Sequence, residues 1–199
     1  MLRNDMHPEW AACVSTVAQA LADCRSTWTQ LSATGFALVQ CLVNIMLELE
    51  IVYAGDGDEV REGDLEATAL AKEREAWAVL AELRRAYVSL RDGVASFEAF
   101  RDRLFNTRNA DLARAMCLSN WQIDDLAREL QSTLDMYAKE LIVKSVIVNT
   151  FGKHRGGRSS RLTRDQWTIQ LGAWLMEPFL QTSKLDRLTA MLGSINTRQ

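Results

Sequence analysis

The chain has 199 residues, of which 48% are hydrophobic, 25% charged and 8% aromatic, with 23 Lys plus Arg against 26 Asp plus Glu for a net charge of −3. Two prolines, Pro8 and Pro178, and ten glycines are too few for a turn-rich sandwich, a barrel or a disordered chain, and favour long helices around a sizeable core. No global basic excess points to nucleic acid, and the four scattered cysteines, Cys13, Cys24, Cys41 and Cys117, form no CxxC pair, which predicts reduced thiols in an intracellular protein.

The opening residues up to Pro8 lack the apolar stretch of a secretory signal. Pro8 suits a first helical turn, where its missing N–H costs nothing. Val14, Val17, Leu21, Cys24, Trp28, Leu31, Gly35, Leu38, Leu42, Ile45, Leu49 and Val52 then recur at steps of three and four. Such an a/d seam predicts a helix over about 9–53, packed lengthwise against other helices. At ~1.5 Å per residue it would be roughly 65 Å long, which implies an elongated hairpin or a kink. Gly35 on the seam either admits another backbone closely or marks that kink, or it serves a partner-specific contact. The most apolar stretch, Phe36 to Leu47, spans about 12 residues and is too short to cross a bilayer.

Gly55 to Gly63 reads as an acidic loop, and from Glu48 to Glu66 eight acids face one base, Arg61. A second helix is predicted over about 65–105, with Ala76, Leu80, Leu83, Tyr87, Leu90, Val94, Phe97, Arg101 and Leu104 in phase. The phase survives Asp92-Gly93, so one helix with a weak point is expected there. Asn106 to Asn109 reads as a turn. A third helix, about 120–151, starts after Ser119 with Gln122 in capping-box position. It aligns Ile123, Leu126, Leu130, Leu134, Tyr137, Leu141, Val148 and Phe151.

The basic run Gly152-Lys-His-Arg-Gly-Gly-Arg-Ser-Ser-Arg reads as a loop. Thr163 and Gln166 predict the start of a fourth helix, about 164–177, which Pro178 ends by disfavouring helical geometry in the preceding residue. Ser183 with Asp186 and Gly193 bracket a last helix over about 184–192. The expected fold is all-α: a single elongated helical domain over 1–199, an antiparallel bundle or coiled coil of long helices with short carboxyl-terminal ones.

Chemistry-bearing patterns are scarce. With only His7 and His154, a zinc site or a Ser-His-Asp or Cys-His arrangement lacks its histidines. The basic loop is no Walker motif and follows a helix rather than a strand. It reads as a connector first, then as a contact for acidic protein, and last as a nucleic-acid contact, since no aromatic lies between Phe151 and Trp167. Asp124, Asp125 and Glu129 complement a helix N-terminus. The six tryptophans, Trp10, Trp28, Trp77, Trp121, Trp167 and Trp174, serve core packing or interface anchoring. No catalytic residue, metal or cofactor is expected.

Three blocks carry a resemblance. They are Trp28-Thr-Gln-Leu31-Ser-Ala-Thr-Gly35-Phe36, then Leu134-Asp-Met136-Tyr137-Ala-Lys139-Glu140-Leu141-Ile-Val-Lys144, and Trp174-Leu175-Met-Glu-Pro178-Phe179. In this order they resemble the cyclin-dependent kinase 2-interacting protein family, through its patterns W-x-x-L-x-x-x-G-F, L-x-M-Y-x-K-E-L-x-x-K and W-L-x-x-P-[FY]. Residues from about Gly55 to Asn120 match only as a helical pattern, and the basic loop has no counterpart.

The resemblance implies a non-enzymatic helical adaptor, nuclear with a cytoplasmic pool allowed. It would act in DNA replication, the checkpoint response and genome maintenance. It further implies a hetero-oligomer with a second small helical subunit and a hexameric AAA ATPase in ribosome biogenesis, and an association with cell-cycle kinases. Trp28, Leu31, Gly35 and Phe36 are then expected to set close helix packing. Tyr137 and Leu141 would pack, Lys139, Glu140 and Lys144 would offer polar contacts, and Trp174, Leu175, Pro178 and Phe179 would fold a carboxyl-terminal cap. The competing readings are a structural coiled-coil component of a cytoskeletal or kinetochore assembly, and an enzyme binding phosphates through the basic loop. Soluble monomers rarely leave a long apolar stripe open, so the seam must be covered by the chain's own helices or by a partner's.

Overall fold

The computed structural model describes residues 8–54, 59–106, 120–154 and 162–196. Among them the fold is all-α, with helices α1 (Pro8–Ala54), α2 (Glu59–Asn106), α3 (Asn120–His154), α4 (Arg164–Met176) and α5 (Thr182–Asn196). The expected turn at Asn106–Asn109 beyond Asn106 itself, the capping residue Ser119, the Gln122 side chain, the Trp121 side chain, Cys117 and most of the basic loop lie outside the described residues.

Several boundaries differ from the sequence reading. The helix α2 starts at Glu59 rather than near 65, so Glu59 to Gly63 is helix and not loop. Acids at Glu59 and Glu62 sit in its first turn, where they complement the macrodipole. Gly152 belongs to α3, which runs on to His154. Gly193 does not close α5, which continues to Asn196, because an isolated glycine inside a helix costs only ~1 kcal/mol. Gln181, not Ser183, heads α5: its carbonyl accepts from the N–H groups of Lys184 and Leu185 at 3.0 and 3.1 Å. The start of α4 follows the sequence, with Thr163 and Gln166 forming both halves of a capping box.

The described residues form two compact units, and α1, α2 and α3 each supply a segment to both. The first unit takes the described residues of 1–27, 85–138 and 180–199. Its core is Val14, Val17 and Leu21 of α1, Leu90, Val94 and Phe97 of α2, Leu126, Leu130 and Tyr137 of α3, and Leu188 and Leu192 of α5. Trp10 is fully buried with its ring centroid 5.7 Å from Phe97 and 5.8 Å from Phe100. As the preserved phase predicts, α2 runs through Gly93 as one helix. A Cβ there would come within 3.2 Å of the Ala20 Cβ, so glycine lets α2 lie close to α1. At the rim, Arg25 donates to Asp186 and Thr189, and Arg187 pairs with Glu129.

The second unit takes the described residues of 28–84 and 139–179. Val39, Leu42, Val43, Ile45 and Leu49 of α1 meet Ala76, Leu80 and Leu83 of α2 and Ile147, Val148 and Phe151 of α3 in its core. Phe151 stacks on Trp167 of α4, centroids 4.7 Å apart and planes 8° from parallel. Tyr53 donates to Glu66 across the α1–α2 corner, and burial together with Glu66 and Glu62 raises its phenol above the ordinary range.

The α1 seam is covered within the chain: nine of its twelve positions, Val14, Val17, Leu21, Cys24, Trp28, Gly35, Leu42, Ile45 and Leu49, are buried, and Leu31, Leu38 and Val52 are half-buried. Contrary to the short-stretch reading, α1 contains an 18-residue window long and apolar enough to cross a bilayer by length and composition. Of that window 39% is buried; in the carboxyl-terminal half of α1, Val39, Leu42, Val43 and Leu49 lie in the core and Ile51 is exposed.

Candidate functional site

Residues from all three sequence blocks meet in the second unit, at the corner where α4 ends. Met176 is the last helical residue of α4, and Glu177 follows in the left-handed region at φ 42° and ψ 62°. It is the sole non-glycine residue with positive φ among those described. Pro178 disfavours the right-handed α conformation in Glu177, and a left-handed glutamate costs about 1–3 kcal/mol unless its surroundings hold it.

They do hold it. The Glu177 carboxylate accepts from Trp28 Nε1 at 3.0 Å and from the Ser32 hydroxyl, and Lys144 Nζ lies 3.1 Å from the same Oε1. Trp28 and Ser32 are four residues apart and so share one face of α1. The main chain and the neighbouring indole are tied down as well. Trp174 Nε1 donates to the Ser32 carbonyl at 3.0 Å, Lys144 Nζ donates to the Trp174 carbonyl at 3.2 Å, and Phe179 N donates to Glu140 Oε2 at 3.2 Å.

Gly35 completes the corner. A Cβ on it would overlap Cζ2 of the Trp174 ring and lie 3.0 and 3.1 Å from its Cε2 and Cη2. The glycine therefore admits an indole, not the second backbone expected, and α1 runs through it as unbroken helix. The opposite side of the chemistry is cationic: Lys144 Nζ stands 4.5 Å from the Trp174 ring centroid, a cation–π distance.

Electrically the corner is unbalanced. Lys144 and Glu140 are fully buried, at 0% exposure each, while the Glu177 side chain keeps 25%. One ammonium thus faces two carboxylates, with Glu140 Oε1 3.8 Å from Nζ and without a hydrogen-bond partner among the described residues. Burial raises the Glu140 carboxyl above the ordinary carboxylate range; the Phe179 N–H and Lys144 oppose that rise, and Glu177 adds to it. Burial lowers the Lys144 ammonium, against the pull of Glu177 and Glu140.

The other residues singled out from the sequence divide. Leu31, Phe36 and Leu141 are half-buried. Tyr137 is buried in the first unit, beside Cys24, whose thiol burial pushes up to about 12 against the Tyr137 hydrogen bond. Lys139 is exposed, but Glu140 and Lys144 are core residues rather than groups open to a partner. Leu175 and Phe179 do not pack as a cap: they are 60% and 39% exposed. Trp10, Trp28, Trp167 and Trp174 are buried, and Trp77 is 42% exposed.

Two participants, Ser32 and Glu177, stood at unspecified positions of the sequence blocks. The signal for Ser32 is its four-residue spacing from Trp28, and for Glu177 its place between Trp174 and Pro178. Lys144 also had one, since it fills the seam step between Leu141 and Val148 where an apolar residue is the rule.

Among the described residues no three His, Cys, Asp or Glu side chains group as metal ligands. No protein-family model matches the chain, and no curated protein matches it.

Proposed function

We propose that this protein is a non-enzymatic helical adaptor subunit of the kind the cyclin-dependent kinase 2-interacting protein family represents. In this reading it works in the nucleus, with a cytoplasmic pool, in DNA replication, checkpoint response and genome maintenance. It joins a second small helical protein on an AAA ATPase complex of ribosome biogenesis. Its surface also takes a cell-cycle kinase.

One observation supports an adaptor above the alternatives. The exposed large apolar side chains among the described residues all belong to the second unit: Ile51, Val60, Trp77, Ile142, Val146, Ile169, Leu175, Met176 and Phe179. Leu175, Met176 and Phe179 flank Glu177 in the chain at the three-block corner, and exposed apolar side chains held in one unit support a role in binding. The coiled-coil component reading loses support, because the α1 seam that suggested it is covered by the chain itself.

The test is reconstitution of the full chain with the candidate AAA ATPase and small helical partner, followed by size-exclusion chromatography. Wild type is expected to co-elute, and a triple variant Leu175→Ser, Met176→Ser, Phe179→Ser to elute alone while keeping its helical circular dichroism. Wild-type elution that neither protein shifts would sink the proposal. Recovery of tubulin or centromere proteins from cells would favour the cytoskeletal alternative.

A further inference from the structure

The buried corner holds more acid than its single cation neutralises. Lys144 Nζ is committed to Glu177 Oε1 at 3.1 Å and to the Trp174 carbonyl at 3.2 Å. Its separation of 3.8 Å from Glu140 Oε1 is too long for a hydrogen bond. Glu177 takes the stronger share: its Oε1 has Trp28 Nε1, the Ser32 hydroxyl and Lys144 around it. Glu140 has one donor, Phe179 N on Oε2, while Oε1 is buried with no partner among the described residues. An uncompensated buried carboxylate is costly, and the cheapest remedy is a proton.

We propose that the Glu140–Lys144–Glu177 cluster takes up one proton reversibly on Glu140 Oε1, and so acts as a proton-sensitive latch on the corner carrying Trp174 and Phe179. With that proton in place, one Lys144 ammonium faces one Glu177 carboxylate and the corner is neutral. Without it, a net negative charge is confined among Trp28, Trp174 and the α3 backbone, and the corner is held more weakly. The charged groups acting on Glu140 are Lys144 of its own helix and Glu177 of the α4 corner. The side chains that α1 brings to the cluster, Trp28 and Ser32, carry no charge.

The sign follows from linkage. A carboxyl that titrates higher in the folded chain than in the unfolded one binds its proton more tightly when folded. The latch therefore contributes fully at low pH, and its contribution is lost as pH rises through the folded-state titration of Glu140. The device is independent of what the surface binds.

The test uses the full chain. Carbon-detected NMR of the Glu140 carboxyl is expected to show titration above the free-glutamate range. Hydrogen exchange of the Trp28 and Trp174 indole N–H groups, corrected for intrinsic rates, is expected to slow as pH falls from about 8 to about 5.5. Glu140→Gln, which carries a neutral amide at every pH, should abolish that dependence. Relative to wild type, its unfolding constant in urea should rise as pH falls across the same interval. Titration of Glu140 at or below the free-glutamate value overturns the proposal, as does indole exchange with the same pH dependence in both chains. The NMR measurement needs only wild type and stands even if the variant fails to fold.

Discussion

Replacing Gly35 by Ala isolates the contact on which the three-block corner is built. In a helix interior the change would ordinarily stabilise by about 1 kcal/mol. Here the new methyl overlaps Cζ2 of Trp174 and crowds Cε2 and Cη2, and overpacking of this type costs ~1–3 kcal/mol. The ring has little freedom to yield. Its Nε1 is tied to the Ser32 carbonyl at 3.0 Å and Lys144 Nζ lies over it, so displacement also forfeits a hydrogen bond worth about 0.5–1.5 kcal/mol. The steric and hydrogen-bond losses outweigh the propensity gain, leaving Gly35→Ala destabilised by about 2 kcal/mol. For a chain of this length that lowers Tm by about 4–8 °C, read by circular dichroism at 222 nm with urea unfolding alongside. Gly172→Ala is the control: nothing lies within 4 Å of its added Cβ, so propensity alone acts and stability should rise by ~0.5–1 kcal/mol. If Gly35→Ala is as stable as wild type, or rises in parallel with Gly172→Ala, Trp174 does not rest on the Gly35 backbone and the corner described above is wrong.

Two further outcomes follow from the buried groups. Lys144→Met removes the one cation between Glu140 and Glu177; breaking a buried pair from one side costs ~3–5 kcal/mol. The loss should be greatest near pH 8 and shrink toward pH 5 as Glu140, already raised by burial, takes its proton. Wild-type stability in Lys144→Met at the higher pH would remove the ammonium from any compensating role. Cys24 is 2% exposed and its thiol is pushed up to about 12 from 9.0, so near neutral pH its thiolate is about a thousandfold scarcer than in the unfolded chain. Iodoacetamide labelling followed by peptide mass spectrometry should show Cys24 slowed by at least that factor in the native protein, and labelling within tenfold of the urea-unfolded rate would contradict its burial.

Much of the fold was legible because helices are written in local periodicity. The three-four spacing of Val14 through Leu49 and of Leu80 through Leu104 identified the buried faces of α1 and α2, and Thr163 with Gln166 located the start of α4 by a capping box made within four residues. Boundaries were less legible at glycines. Gly63, Gly152 and Gly193 all lie inside helices, where packing of the rest of the helix overrides a penalty of ~1 kcal/mol apiece. For the corner, the blocks marked Trp28, Gly35, Glu140, Lys144 and Trp174. Ser32 and Glu177 carried only local signals; that they pair with each other is not written in a local pattern, because the bond joins residues 145 apart in the chain.

The sequence by itself determined that the protein is built of long helices, which faces of them are apolar, and where Pro178 stops α4. Those properties depend on residues three or four positions apart, so a one-dimensional pattern records them. Only the tertiary structure decided that the α1 seam is closed by the chain's own helices, that Gly35 receives an indole, and that Glu140 and Lys144 are core residues. It also decided that Leu175, Met176 and Phe179 remain outside. Each of these depends on which distant segment arrives at a given face, and a strained left-handed Glu177 is tolerated only because α1 and α3 supply the donors that hold it.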